Sequence, residues 1–448
     1  MVVKFLWVAI QLCRSPAKKI LVSTTLTFSN GSPVVSLSTQ RFRTPSQATK
    51  MKLLTFSTLY PNTEQPSHGI FVETRLRYLV ASGKVESRVV APVPWFPSDN
   101  PRFGQYAKLA RVPRTEVRNG LSVTHPRYVV LPRVGMNVTP YFLAHAAKRE
   151  IGRILDEGYD FDAIDAHYFY PDGVAAVMLG KYFRKPVVIT ARGTDINLIP
   201  HFARPRKLIL EAAGQADGII TVCQALKDEM VGLGVAADRI MPLRNGVDLE
   251  RFQPMDRTAA RAQLGLTRFT LLSVGLLDPR KAHDLTIRAL PALPDVELLI
   301  AGTGPEKKNL ETLAQELGVT DRVTLLGPVA QTELKTYYNA ADAMVLSSSR
   351  EGWANVLLEA MACGTPVVAS NVWGTPEVVA APEAGVLMPE RTPEGLVQAL
   401  SQLRANYPDH GATRRYAEGF GWEPTTQGQI DLFGRILARK QDMARKAA

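Results

Sequence analysis

The feature that most constrains this chain is a repeated alternation. Short apolar runs rich in branched residues are each followed by a helical pattern, from Met51 almost to the C-terminus. Strands that alternate with helices are joined by crossovers, and crossovers build parallel sheets covered by helices on both faces. In the first half the spacing predicts strands at 52–57, 87–92, 163–166, 187–190 and 218–222, with helices at 71–82, 141–156, 173–182, 205–213 and 224–233. Residues 92–113 carry five prolines and a glycine and read as a long loop. Residues 240–248, Ile-Met-Pro-Leu-Arg-Asn-Gly-Val-Asp, contain turn formers and mark a linker. The alternation then restarts, with strands expected at 270–274, 297–301, 323–325, 343–346, 365–369 and 385–388.

A chain of 448 residues exceeds the roughly 250–300 at which one hydrophobic core stops growing. The expected fold class is therefore α/β, with two facing doubly wound Rossmann-like domains at 51–243 and 244–424. A closing helix at 425–448 is expected to cross back to the first domain. In open sheets of this kind ligands bind beyond the carboxyl ends of the strands, so the expected site is the cleft between the domains.

Composition narrows the function. At 46% hydrophobic and 21% charged residues the chain is globular. Cys13, Cys223 and Cys363 form no close pair and have no histidine at metal-ligand spacing, which predicts reduced thiols and no structural zinc. The net charge of +11 is concentrated in residues 1–50, which hold seven Lys/Arg and no acid; from Met51 onward 46 basic side chains face 42 acidic ones. So modest an excess gives no reason to expect nucleic acid as a partner. Contact with an anionic membrane surface weighs evenly against ordinary solvated charge. No run reaches the ~20 apolar residues that span a bilayer. Residues 1–50 have no clear periodicity and are expected to be a leader outside the fold, either a targeting segment or the product of a start set too early; Met51-Lys52 directly before the first strand favours the latter.

The most informative segment is 343–370, AMVLSSSREGWANVLLEAMACGTPVVAS, which scans as strand, loop, helix, glycine stop, strand. The helix is expected to begin near Asn355 and stop at Gly364. Glu351 then lies in the loop at the strand's end and Glu359 about one turn inside the helix. A helix start offers free N–H groups and partial positive charge to a phosphate, here from Ala354, Asn355 and Val356. Two acids beside a phosphate repel it unless they face other donors, and the hydroxyls of a sugar and a ribose are such donors. The competing account makes Glu351 a loop acid and Glu359 a complement to the helix dipole.

The spacing Glu-x7-Glu followed by Ala-Met-Ala-Cys-Gly-Thr-Pro resembles the family 4 retaining glycosyltransferases of the two-domain GT-B fold, and the likeness extends from Met51 to the C-terminus. It implies that Glu351 meets the donor sugar and Glu359 the ribose. Residues 58–73, TLYPNTEQPSHGIFVE, resemble the family's glycine loop, with Gly69 approaching the diphosphate; Asp165-Ala166-His167-Tyr168 resembles the segment whose histidine, here His167, lies near the transferred sugar. Arg192 and Asp195 of TARGTDIN are expected on the acceptor side. The stretch SVGLLDPRKAH resembles Gly-Arg-Leu-x4-Lys-Gly, with Lys281 retained, Leu276 in the arginine's place, Ala282 in the glycine's, and Arg280 as the substitute charge. Val329 would meet the base through its backbone, and Glu377 is expected to be a solvated acid.

The resemblance thus implies a retaining hexosyltransferase that takes a nucleotide diphosphate sugar as donor and needs no further cofactor, and the lack of an Asp-x-Asp motif in a plausible strand-end setting predicts catalysis without a metal. The acceptor would be a glycan or lipid-linked sugar in cell-surface polysaccharide synthesis, as in bacterial exopolysaccharide or teichuronic acid members. The implied location is the cytoplasm, with peripheral contact at the inner membrane face. A nucleotide-sugar 2-epimerase of the same fold, or a non-catalytic binder of nucleotide sugars, are the rival readings.

Overall fold

A computed structural model of the chain describes residues 20–29, 32–41, 50–131 and 135–447. Residues 1–50 form one unit, in which β1 (Ile20–Ser29) and β2 (Ser32–Arg41) pair antiparallel, Ile20 opposite Arg41. The Val, Ile and Thr content of these two runs suits extended pairing. The rest of that segment, including Cys13, lies outside the described residues.

The second unit, Met51–Ala448, contains two large sheets. The first is built from β3 (Met51–Phe56), β4 (Val85–Val90), β6 (Thr115–Arg118), β7 (Leu121–Thr124), β9 (Ala163–His167), β10 (Val187–Ala191), β11 (Gly218–Thr221) and β12 (Ile240–Pro242). A small ribbon joins β5 (Val93–Pro94) to β8 (Arg127–Tyr128). The sheet order is β12-β11-β10-β9-β3-β4-β7-β6, parallel except at β6. Strands β9 and β10 are buried at every residue, as expected when helices cover both faces. The second sheet, β13 (Phe269–Val274), β14 (Val296–Ala301), β15 (Val323–Gly327), β16 (Ala343–Leu346), β17 (Val367–Ser370) and β18 (Gly385–Met388), is all parallel, in the order β15-β14-β13-β16-β17-β18.

The order in which strands are added reverses once in each sheet, between β3 and β9 in the first and between β13 and β16 in the second. At such a switch point the loops leaving adjacent strands diverge and open a crevice. The loops there are the ones that begin at Ser57, Tyr168, Gly275 and Ser347. The linker starts later than the sequence suggests, because Ile240–Pro242 joins the first sheet as an edge strand. The final helix, Glu423–Ala447, lies against the first sheet: Phe433 and Ile436 pack with Leu53, Leu79, Val188 and Ile220. Among the described residues no helix is long and apolar enough to cross a membrane.

Candidate active site

On the side of the second sheet, the loop after β16 carries Glu351, which is only 8% exposed. Its Oε1 lies 2.7 Å from Lys281 Nζ and 3.7 Å from an Arg280 guanidinium nitrogen. The two loops are tied by the Ser349 N–H donating to the Arg280 carbonyl at 2.8 Å. Leu276 is 57% exposed and contributes only its carbonyl, which meets His283 Nε2 at 3.1 Å. The cationic side chains gathered on Glu351 are therefore Lys281 and Arg280. Ala282 has φ 50° and ψ 47°, a left-handed conformation that suits glycine better than alanine.

The expected helix runs Asn355–Ala362, capped by Ala354 without a side-chain bond. Of the three amides offered by the sequence, that of Asn355 is turned back onto the Trp353 carbonyl at 3.1 Å. Among the described residues the amides of Ala354 and Val356 have no backbone acceptor. Glu359 Oε2 accepts from the Tyr338 hydroxyl at 2.9 Å, with Gln331 and Arg251 also facing it. Burial pushes the Glu359 carboxyl up to about 7, against the pull of these donors. Val329 follows β15 and is half-buried against the core.

On the side of the first sheet, His167 closes β9 and is 1% exposed. Asp165 shares its face of the strand, two residues earlier. Arg192 Nη2 lies 2.7 Å from His167 Nδ1. A guanidinium only donates, so Nδ1 accepts and the ring proton sits on Nε2. That nitrogen stands 3.2 Å from Asp165 Oδ2 in poor hydrogen-bond alignment. Burial lowers the His167 pKa to about 4, with Arg192 adding to the effect, so the ring is neutral near pH 7. Burial alone would raise the Asp165 carboxyl, but His167, Arg75 and Arg192 hold it low.

Three expectations change in detail. Asp195 does not line a cleft: it is fully buried and accepts from the backbone N–H groups of Phe169 at 2.6 Å, Gly193 at 2.7 Å and Arg192 at 3.1 Å, which fixes the loop. Gly69 has φ 66°, and a Cβ there would come within 2.3 Å of the Leu59 backbone, so the loop's own packing demands the glycine. Glu377 is no solvated acid: it accepts from the Ala225 amide at 3.1 Å and from Arg244 at 2.9 Å, joining the two halves.

The halves meet through backbone. A Cβ on Gly352 would lie 1.9 Å from the Arg192 carbonyl oxygen, and one on Gly374 would lie 2.3 Å from that of Gly352. Lys281, Arg280, Glu351 and the helix start are thus held beside Arg192, which binds His167. Sequence reasoning missed Asn245 and Arg75, both buried here, and Tyr168, which follows His167 with φ 82°. A bulky residue in the left-handed region is uncommon and tends to mark a functional site, but φ is invisible in sequence. Asn245 was visible only as half of an Asn-Gly turn signal.

The family model described as Glycosyltransferase Family 4 matches residues 70–251, and that for Glycosyl transferases group 1 matches residues 256–420. The D-inositol 3-phosphate glycosyltransferase of Mycobacteroides abscessus is 37% identical over 304 residues, covering 64% of this chain and 68% of that protein. Its namesake from Saccharomonospora viridis is 35% identical over 325 residues, covering 65% and 74%. Among solved structures, sucrose-phosphate synthase from Thermosynechococcus elongatus superposes with a TM-score of 0.70 at 22% identity, covering 87% of this chain and all of that one. Anabaena HepE in complex with UDP-glucose gives 0.64 at 19%, covering 86% and 99%. At such identities the structures share the fold alone.

Proposed function

The chain belongs to the family 4 glycosyltransferases, with the GT-B fold, and on that premise we propose that it moves a sugar, with retention, from a nucleotide diphosphate donor to a glycan or lipid-linked acceptor in cell-surface polysaccharide synthesis. The observation that supports this most is the convergence of Lys281, Arg280, Glu351 and the start of Asn355–Ala362 at the second switch point, in backbone contact with the loop that carries Arg192. HepE, which shares the fold, was solved in complex with UDP-glucose, and that supports a nucleotide sugar as donor.

In this reading the donor diphosphate lies at the helix start, within reach of Lys281 and Arg280. These fixed charges stabilise the negative charge that grows on the leaving group. Glu351, freed from Lys281 as the phosphate takes its place, accepts from sugar hydroxyls, and Glu359 accepts from the ribose. The bond from the anomeric carbon to the phosphate oxygen breaks and one to the acceptor oxygen forms on the same face. The acceptor's proton passes to a phosphate oxygen. His167, neutral and with its proton on Nε2, can donate to the transferred sugar once the ring turns from Asp165. We take the enzyme to work in the cytoplasm, at the inner membrane face where the acceptor is lipid-linked.

A second acceptor class is a phosphorylated polyol, because relatives at 35–37% identity are named for D-inositol 3-phosphate. The test is release of nucleoside diphosphate from a panel of nucleotide sugars, with and without acceptors that include D-inositol 3-phosphate and an undecaprenyl-linked sugar. Transfer requires release that depends on the acceptor. A donor sugar changed in configuration would point to epimerisation, and binding with no turnover under any acceptor to a binding protein.

A further inference from the structure

One buried side chain that the mechanism above does not use touches both halves. Asn245 is 4% exposed. Its Oδ1 accepts from Arg192 Nη1 at 3.1 Å and from Arg75 Nη1 at 3.4 Å, while its Nδ2 donates to Asn355 Oδ1 at 3.3 Å. The amide's orientation is fixed by chemistry: guanidinium groups only donate, so the oxygen must face Arg192 and Arg75, leaving the nitrogen for Asn355. Arg192 in turn binds His167 Nδ1 at 2.7 Å. A continuous chain of polar contacts therefore runs from Asn355, first residue of the helix proposed to seat the diphosphate, to the ring proposed to meet the sugar.

The backbone around Asn245 leaves it little freedom. Leu243 donates to the Thr221 carbonyl at 2.8 Å, and its own carbonyl accepts from Arg75 at 3.0 Å. Val247 donates to the Phe420 carbonyl at 2.9 Å, and a Cβ on Gly246 would come within 2.7 Å of Trp422 N. Arg75 is itself anchored by Gln429 Oε1 at 2.9 Å, on the C-terminal helix. A side chain so mounted acts as a rigid spacer between the elements it touches.

We propose that Asn245 is a positioning residue for sugar transfer, holding the start of the donor helix and the Arg192–His167 pair in one register so that a shift at Asn355 is felt at His167. This rests on the transferase reading above. Asn245 touches no reacting atom; it acts through Arg192 and Asn355. Reactions of bound partners are sensitive to misplacement of about 1 Å, which can cost on the order of a hundredfold in rate.

The test needs no substrate in its first arm. The full chain is labelled with 15N in histidine, the His167 ring signals are assigned with His167→Gln, and Asn355→Ala is introduced into wild type and into Asn245→Ala. The substitution at Asn355 should move the His167 ring signals in wild type and leave them still in Asn245→Ala. Asn245→Leu keeps the volume but can neither accept from Arg192 nor donate to Asn355, and the Asn355 amide cannot flip to restore the contact as it could toward an aspartate, so this variant should also be silent to Asn355→Ala. That variant carries the test if Asn245→Ala folds poorly. Should Asn355→Ala leave His167 unmoved in wild type, or move it equally in both variants, the proposal is overturned. In the second arm, Asn245→Leu should lower the acceptor-dependent release of diphosphate by about tenfold or more in kcat, with donor KM within about twofold. Wild-type kcat in this variant would also overturn the proposal. Failure of wild type to release diphosphate under any acceptor speaks against the transferase reading alone.

Discussion

In the proposed donor site Glu359 accepts from ribose hydroxyls, and its ionisation decides how many it can accept. Burial raises its carboxyl to about 7, so below that pH it is mostly neutral and above it anionic. A carboxylate accepts two ribose hydroxyls, while the neutral acid must use one oxygen to donate. Affinity for a nucleoside diphosphate should therefore strengthen between pH 6 and 8, by up to about tenfold as the ionised fraction rises. Phosphate titrates near 6 as well, so the comparison that isolates the carboxyl is with Glu359→Gln. Calorimetric titration with UDP, ADP and GDP at three pH values should give a weaker affinity in that variant and a shallower pH slope. Equal slopes in the two proteins would exclude Glu359 from the ribose site. Ala282 offers a test of a different kind. At φ 50° its Cβ is crowded, and Ala282→Gly should raise the urea midpoint, corresponding to about 1 kcal/mol. A lowered midpoint would mean that the methyl's packing outweighs the backbone strain.

Elements were legible wherever a pattern repeated over many residues. Strand–helix alternation, the helix at Asn355 and the glycine stop after it all follow from local periodicity and turn chemistry. Less was legible where the deciding partner lies far away in sequence. Asp195 reads as half of an Arg–Asp pair until the fold brings the Phe169 amide to it, and Glu377 reads as solvated until Ala225 and Arg244 arrive. Two misses were avoidable. The hairpin β6–β7 turns at Asn119-Gly120, both with positive φ, a strong two-residue turn signal. The helix Gln105–Arg111 lies inside the stretch read as loop because prolines flank it on both sides but none falls within it. The final helix illustrates how an element far along the chain completes an early one. Phe433 is wholly buried among Leu53, Leu79 and Ile220, so Phe433→Ala should cost about 3–5 kcal/mol. Denaturation followed separately in the two halves, by a probe in each, should show the loss in the first half; a loss confined to the second would contradict the packing described.

At the scale of the molecule, the two halves share one apolar cluster, which holds Ile189 and Val222 of the first with Met344 and Leu357 of the second, and touch through glycines where the loops of the site meet. Gly193, Gly352 and Gly374 each lie where a Cβ would meet backbone of the facing or adjoining loop, at 3.0, 1.9 and 2.3 Å. Backbone cannot turn aside as a long side chain can, so a single methyl at Gly352 must part the loops. Each sheet's strand pairing and the apolar cluster that the halves share are made by other residues, so such a change should part the loops at the site without unfolding either half. Gly352→Ala should therefore increase the radius of gyration in solution scattering, leave the melting temperature within a few degrees, and retain donor binding by the second half. Acceptor-dependent release of diphosphate should fall by about a hundredfold, because Arg192 and His167 no longer stand against the donor loop. The two readouts must move together if the glycine contact is what assembles the site: an unchanged radius with an unchanged rate would show that the loops tolerate a side chain, and an opened molecule with full activity would detach catalysis from this contact altogether.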